Sequence, residues 1–111
     1  MKKYKMDWNR IETLGQLDTI EAESFENPIL IFKHSTRCFI SKSALKMFEN
    51  EFNPQGEIIP YFLDLLEHRD ISNEIAHRYN VIHQSPQVII IKNGKAIYDA
   101  SHERIDATKL D

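Results

Sequence analysis

This 111-residue sequence lacks a second cysteine, so Cys38 cannot form a disulfide within the chain. A free thiol in a chain without an export signal is typical of the reducing cytoplasm. The histidines show no metal-ligand spacing with Cys38, which argues against a zinc site; those compared are His68, His77, His83 and His102. We therefore expect neither a metal nor a resident cofactor.

Long apolar runs and clusters of like charge are absent as well. No run has the length of a membrane helix, and no apolar stretch follows the N-terminal lysines as it would in a secretory signal. The formal net charge is −3, and only Met1–Lys5 is locally basic, unlike the basic patches that bind nucleic acid. We expect a cytoplasmic protein that binds neither membranes nor nucleic acid.

The sequence does contain enough apolar residues, 41 %, for one hydrophobic core. No repeat or linker divides it, which predicts a single domain over residues 1–111. Residues 1–26 form an N-terminal extension with a helix, to which Trp8 contributes a packing anchor, and residues 27–110 form the core. Short apolar runs predict the strands Ile29–Phe32, Tyr61–Leu65, Val88–Ile91 and Ala96–Tyr98.

Helical spacing fills the gaps between these strands. Leu45, Phe48 and Phe52 predict a helix that starts near Cys38. A later helix is predicted to begin with Asp70 as its cap, and the tail Ile105–Leu110 to form a closing helix. Long crossovers imply parallel strands and the Asn93-Gly94 turn implies a hairpin, so we predict an α/β fold with a mixed central sheet and helices on both faces.

Cys38 is the candidate nucleophile because it follows a buried strand and starts a helix. Free N–H groups and the helix dipole favour the thiolate there, and Arg37 adds a neighbouring cation. Ser41 stands where a Cys-x-x-Cys motif has its second cysteine. A hydroxyl at that position can donate a hydrogen bond to the thiolate but cannot form a disulfide.

Ser85-Pro86 directly precedes a predicted strand, and with Cys38 this pattern resembles the thioredoxin superfamily. In that superfamily the proline is cis and faces the active cysteine. Several segments resemble the monothiol bacilliredoxins, the bacillithiol-system proteins of the C type: His34–Ser41, Arg69–Asn73, Ser85–Gln87 and Ala100–His102. The family usually has Cys-Pro-Ile-Ser where this sequence has Phe39 after the cysteine.

The resemblance implies a thiol–disulfide oxidoreductase that removes bacillithiol, or a similar low-molecular-weight thiol, from mixed disulfides on cytosolic proteins. Bacillithiol would be the co-substrate, and the protein a monomer. Cys38 and Ser41 are the expected catalytic residues. We expect four residues to bind substrate: Arg37, Phe39, Ser85 and Pro86. Two alternatives remain open, namely a monothiol glutaredoxin that uses glutathione and a non-catalytic thioredoxin-fold adaptor.

Overall fold

The computed structural model describes residues 6–53 and 56–110, so the basic segment Met1–Lys5 lies outside the described residues. Within them, one sheet contains the strands β1 (Asn9–Arg10), β2 (Ile29–His34), β3 (Ile59–Asp64), β4 (Gln87–Lys92) and β5 (Lys95–Ser101). The helices are α1 (Gln16–Glu23), α2 (Phe39–Glu51) and α3 (Arg69–Tyr79), and 3₁₀ turns cover His102–Arg104 and Ala107–Leu110. None of these helices is long and apolar enough to cross a membrane.

The strand order is β1-β3-β2-β4-β5. Strands β1, β3 and β2 are parallel to one another, and β4 is antiparallel to both of its neighbours, β2 and β5. The predicted mixed sheet and its core strands are confirmed, with strand bounds that differ from the predicted runs by up to three residues. Two local predictions were wrong. Helix α3 begins at Arg69, with His68 at its N-cap, so Asp70 lies in the first turn. In place of the predicted closing helix Ile105–Leu110, the chain forms a 3₁₀ turn over Ala107–Leu110.

Both faces of the sheet are buried, which explains why β2 shows no alternation of apolar and polar residues. Ile29 and Ile31 pack in a core with residues of α1 and α3. Leu30 and Phe32 pack on the other face, with residues of α2. Neighbouring residues of β2 therefore enter different cores, and every residue of the strand is buried.

Trp8 packs the N-terminal segment against the α2 face, as predicted. Its ring lies 5.9 Å from that of Phe32, 6.3 Å from that of Phe48 and 6.0 Å from that of Phe62, measured between centroids. Its indole Nε1 donates a hydrogen bond of 2.7 Å to Glu49 Oε2 on α2. The contact therefore joins the segment before α1 to the sheet and to α2 together.

The β4–β5 hairpin turns at Asn93 and Gly94, whose φ angles of 53° and 74° are those of the predicted two-residue turn. Ser24, just after α1, binds this turn through two bonds. Its carbonyl accepts from Asn93 N at 2.8 Å, and its hydroxyl accepts from Gly94 N at 2.9 Å. A Cβ at Gly94 would lie 3.1 Å from the Phe25 ring. The turn therefore requires glycine for its backbone angle and for its close approach to Phe25.

Gly94→Ala is expected to lower the free energy of unfolding by about 1 kcal/mol or more, because alanine is strained at positive φ and would press on Phe25. Chemical denaturation of both proteins measures this. Gly15→Ala is the matched control, since Gly15 has a helical φ of −61° and open space around its Cα. Equal stabilities for the two variants would contradict the requirement for glycine at position 94.

Candidate functional site

Strand β2 leads directly to Cys38. After His34 the chain turns through Ser35–Arg37, and Cys38 is the N-cap of α2 with extended backbone angles, φ −94° and ψ 120°. Its carbonyl accepts the first helical bond, from Lys42 N at 3.0 Å. The thiol is half-buried. The predicted position of Cys38 at a helix N-terminus is confirmed.

Ser41 is fully buried in the first turn of α2, and its hydroxyl has partners other than the sulfur. Ser41 Oγ lies 2.7 Å from His34 Nδ1 and accepts a bond of 3.0 Å from Ser35 N. Among the described residues, none donates a hydrogen bond to the Cys38 sulfur. Ser41 therefore fixes the loop before Cys38 by joining the end of β2 to α2.

His34 is a packed histidine within the α2 face of the sheet. Its ring lies 5.4 Å from the Phe62 ring and 6.5 Å from the Phe32 ring, between centroids. Burial lowers its pKa below 6.5, an effect that Asp64 opposes and Lys42 adds to. The imidazole is therefore neutral at pH 7, and it serves to hold Ser41 rather than to carry charge.

The Ser85–Pro86 peptide bond is cis, as the resemblance implied. Strand pairing places it beside the Cys38 loop. Lys33 of β2 is opposite Gln87 of β4, so Pro86 lies just beyond the end of β4 where β2 ends. Pro86 is buried, and the buried hydroxyl of Ser85 has no hydrogen-bond partner among the described residues. The loop that carries the proline and the loop that carries the cysteine thus share one edge of the sheet.

A polar cleft of about 360 Å³ opens at the same edge, between the Cys38 loop and the loop after β3. Arg37 contributes a cation to it, and Asp64 and Glu67 contribute carboxylates. Asp64 is buried and accepts a bond from Leu66 N at 3.0 Å. The cleft therefore offers both signs of charge beside the Cys38 loop. Sequence reasoning identified Arg37 as a site residue but missed Asp64 on β3 and Glu67 in the loop after β3.

The first turn of α2 presents an apolar surface to solvent. Phe39 is 81 % exposed and Ile40 is 66 % exposed. Ile40 also lines a larger apolar groove of about 540 Å³ that runs along α2 to Met47 and Ile105. Exposed apolar side chains directly after Cys38 are suited to contact with another protein.

The family model described as monothiol bacilliredoxin BrxC matches residues 9–110. The chain belongs to the monothiol bacilliredoxin family. A solved thioredoxin-fold protein described as an oxidoreductase is 28 % identical, with a TM-score of 0.78 over 91 % of this chain and 88 % of that one. Thioredoxins of Malassezia sympodialis and Schistosoma mansoni are 20 % and 22 % identical, with TM-scores of 0.72 and 0.67. They cover 99 % and 94 % of this chain, and 89 % of each thioredoxin is covered.

These matches confirm the thioredoxin fold and the family that the sequence resembles. They support a thiol redox role for this bacilliredoxin, in which Cys38 is the one cysteine. Lys33 lies close to the site, opposite Gln87, and sequence reasoning did not single it out. The sequence signal that could have identified Lys33 is its position at the end of an apolar strand, directly between Phe32 and His34.

Ser41→Ala is expected to lower the free energy of unfolding by about 1–3 kcal/mol, because it removes a partner from His34 Nδ1 and from Ser35 N in a buried place. Ser43→Ala is the control, since Ser43 is exposed on the same helix and alanine has the higher helix propensity. Urea titration of both variants provides the comparison. A stable Ser41→Ala protein would show that the bridge contributes little.

Proposed function

We propose that this bacilliredoxin removes bacillithiol from mixed disulfides on cytosolic proteins, with Cys38 as the nucleophile. The observation that carries the proposal is the placement of a lone thiol at the N-terminus of α2, beside the loop with cis-Pro86. Family membership supports bacillithiol as the small thiol. No resident cofactor enters the proposal, and bacillithiol takes part only as co-substrate.

The reaction is a thiol–disulfide exchange. The Cys38 thiolate attacks the bacillithiol sulfur of the mixed disulfide and forms a new sulfur–sulfur bond. The bond to the substrate cysteine breaks, and that cysteine leaves as a thiolate and takes up a proton. The substrate protein is thereby reduced and Cys38 oxidised. A second small thiol then attacks the Cys38 adduct, which releases a small-molecule disulfide and restores the thiol.

Ser41 explains why an external thiol is required in that second step. A dithiol protein resolves its adduct with a second cysteine one helical turn on, but Ser41 has no sulfur and its hydroxyl is bonded to His34. The mixed disulfide on Cys38 is therefore a stable intermediate of the proposed cycle. Its accumulation can be observed directly as a mass increase.

The other substrate contacts follow from position. Arg37 and the polar cleft beside it accommodate the small thiol, because the cleft is charged and adjoins the Cys38 loop. Phe39 docks the substrate protein with its exposed ring. Ser85 pairs its backbone with the substrate chain, and Pro86 shapes the groove between the two loops. The protein acts as a monomer in the cytoplasm.

Incubation with one protein carrying either a bacillithiol or a glutathione mixed disulfide is expected to distinguish the alternatives. The wild-type protein should gain the mass of bacillithiol while the substrate is reduced, and it should react more slowly with glutathione. Cys38→Ser should gain nothing, since serine cannot form the disulfide. Intact-mass spectrometry measures both partners. Transfer of glutathione at the higher rate would favour the glutaredoxin function, and no transfer of either thiol would favour the adaptor.

Phe39→Ala is expected to slow exchange with a protein mixed disulfide about fivefold, the loss typical of one aromatic contact at an interface. The rate of Cys38 alkylation by iodoacetamide should not change, because the backbone N–H at residue 39 is kept. Met47→Ala is the control, with a side chain 60 % exposed later on the same helix. A wild-type exchange rate in Phe39→Ala would remove Phe39 from the docking surface.

A further inference from the structure

Lys33 is the most unusual side chain near the site, because it is fully buried in a central strand. Its Nζ donates to Ser72 O at 3.2 Å and lies 3.4 Å from His83 Nδ1. Among the described residues no carboxylate forms an ion pair with it. Burial accordingly lowers the pKa of Lys33 to about 8. A buried cation without a counter-charge costs stability, so the fold retains this lysine at a cost.

Lys33 holds the His83 ring in one tautomer. An ammonium group only donates hydrogen bonds, so His83 Nδ1 accepts and its proton is on Nε2. Burial lowers the pKa of His83, and the nearby positive charges of Lys33 and Arg69 lower it further. The ring also lies 3.1 Å from Ser72 Oγ on α3. His83 is thereby attached to both β2 and α3.

Gln87 holds the same loop from the neighbouring strand. It is the register partner of Lys33 in the β2–β4 ladder, and it is also buried. Its Nε2 donates to Ile82 O at 2.9 Å, and its Oε1 accepts from Gln84 N at 3.4 Å. Gln87 of β4 therefore binds the backbone on both sides of His83, and Lys33 of β2 contacts the His83 ring.

We propose that Lys33 and Gln87 are positioning residues, which together clamp the segment 82–84 so that Ser85 and Pro86 stand opposite Cys38. The proposal deepens the exchange function proposed above and depends on it. The clamp acts on the substrate edge of the site rather than on the sulfur. It therefore predicts a loss of exchange with substrate while the intrinsic reactivity of Cys38 is retained.

Lys33→Met tests the clamp, because methionine keeps much of the volume and removes only the cation. We expect exchange with a peptide–bacillithiol mixed disulfide to slow roughly tenfold to a hundredfold, as when a supporting group lets a site shift slightly. Alkylation of Cys38 by iodoacetamide should stay at the wild-type rate. The melting temperature should be unchanged or higher, because a buried charge is lost and His83 keeps Ser72 as its partner.

Lys92→Met is the matched control, since it makes the same substitution at the exposed far end of β4. His83→Ala removes the other half of the contact at a half-buried position. The double variant with Lys33→Met should lose no more exchange than either single variant, since both disrupt one contact. Losses that multiply in the double variant would overturn the clamp.

A second measurement does not require turnover. Hydrogen exchange at the Gln84 amide should accelerate roughly tenfold in Lys33→Met, because the loop opens locally. Unchanged exchange there, or wild-type disulfide exchange, would overturn the clamp. So would a loss of activity that is matched by a fall in melting temperature and in Cys38 alkylation. A wild-type protein that fails to take up bacillithiol would instead overturn the proposed function, while the amide measurement would still report on the clamp.

Discussion

The antiparallel pairing of β2 with β4 is the constraint on which the site depends. The ladder runs from Ile29 opposite Ile91 to Lys33 opposite Gln87. Just beyond this last pair lie His34, which leads to Cys38, and Pro86, which ends the loop before β4. A shift of one residue in this register would turn every side chain of β2 to the opposite face. Apolar packing on both faces of the sheet thus determines that the Cys38 loop and the loop with Pro86 lie at the same end of the sheet.

Much of this arrangement could be predicted from sequence because it follows from local signals. Unbroken apolar runs indicate buried strands, Asn93-Gly94 indicates a tight hairpin, and the residue types around Cys38 indicate a helix start. Asp70 was misread as a cap because aspartate is favoured both as an N-cap and in the first turn, and in the structure it lies in the first turn. Strand β1 was missed since its two residues pair with β3 but carry no apolar pattern.

The polar contacts inside the fold could not be predicted, because they join residues far apart in sequence. The spacing of Ser41 to Cys38 suggested that its hydroxyl can donate to the sulfur, but spacing did not reveal its contacts with His34 and Ser35. The contact of Lys33 with Ser72 joins β2 to α3 across 39 residues of sequence. Such contacts depend on how α2 and α3 are placed on the sheet, and spacing along the chain gives no measure of that placement.

The position of Trp8 has a practical consequence for spectroscopy. It is the single tryptophan of the chain, and its indole touches rings from β2, β3 and α2 while bonding to Glu49. Its fluorescence therefore originates from the interface between the sheet and the helix that begins at Cys38. Emission from this native fluorophore reports on the packing of that interface without any attached label, and the lone thiol stays free for chemistry.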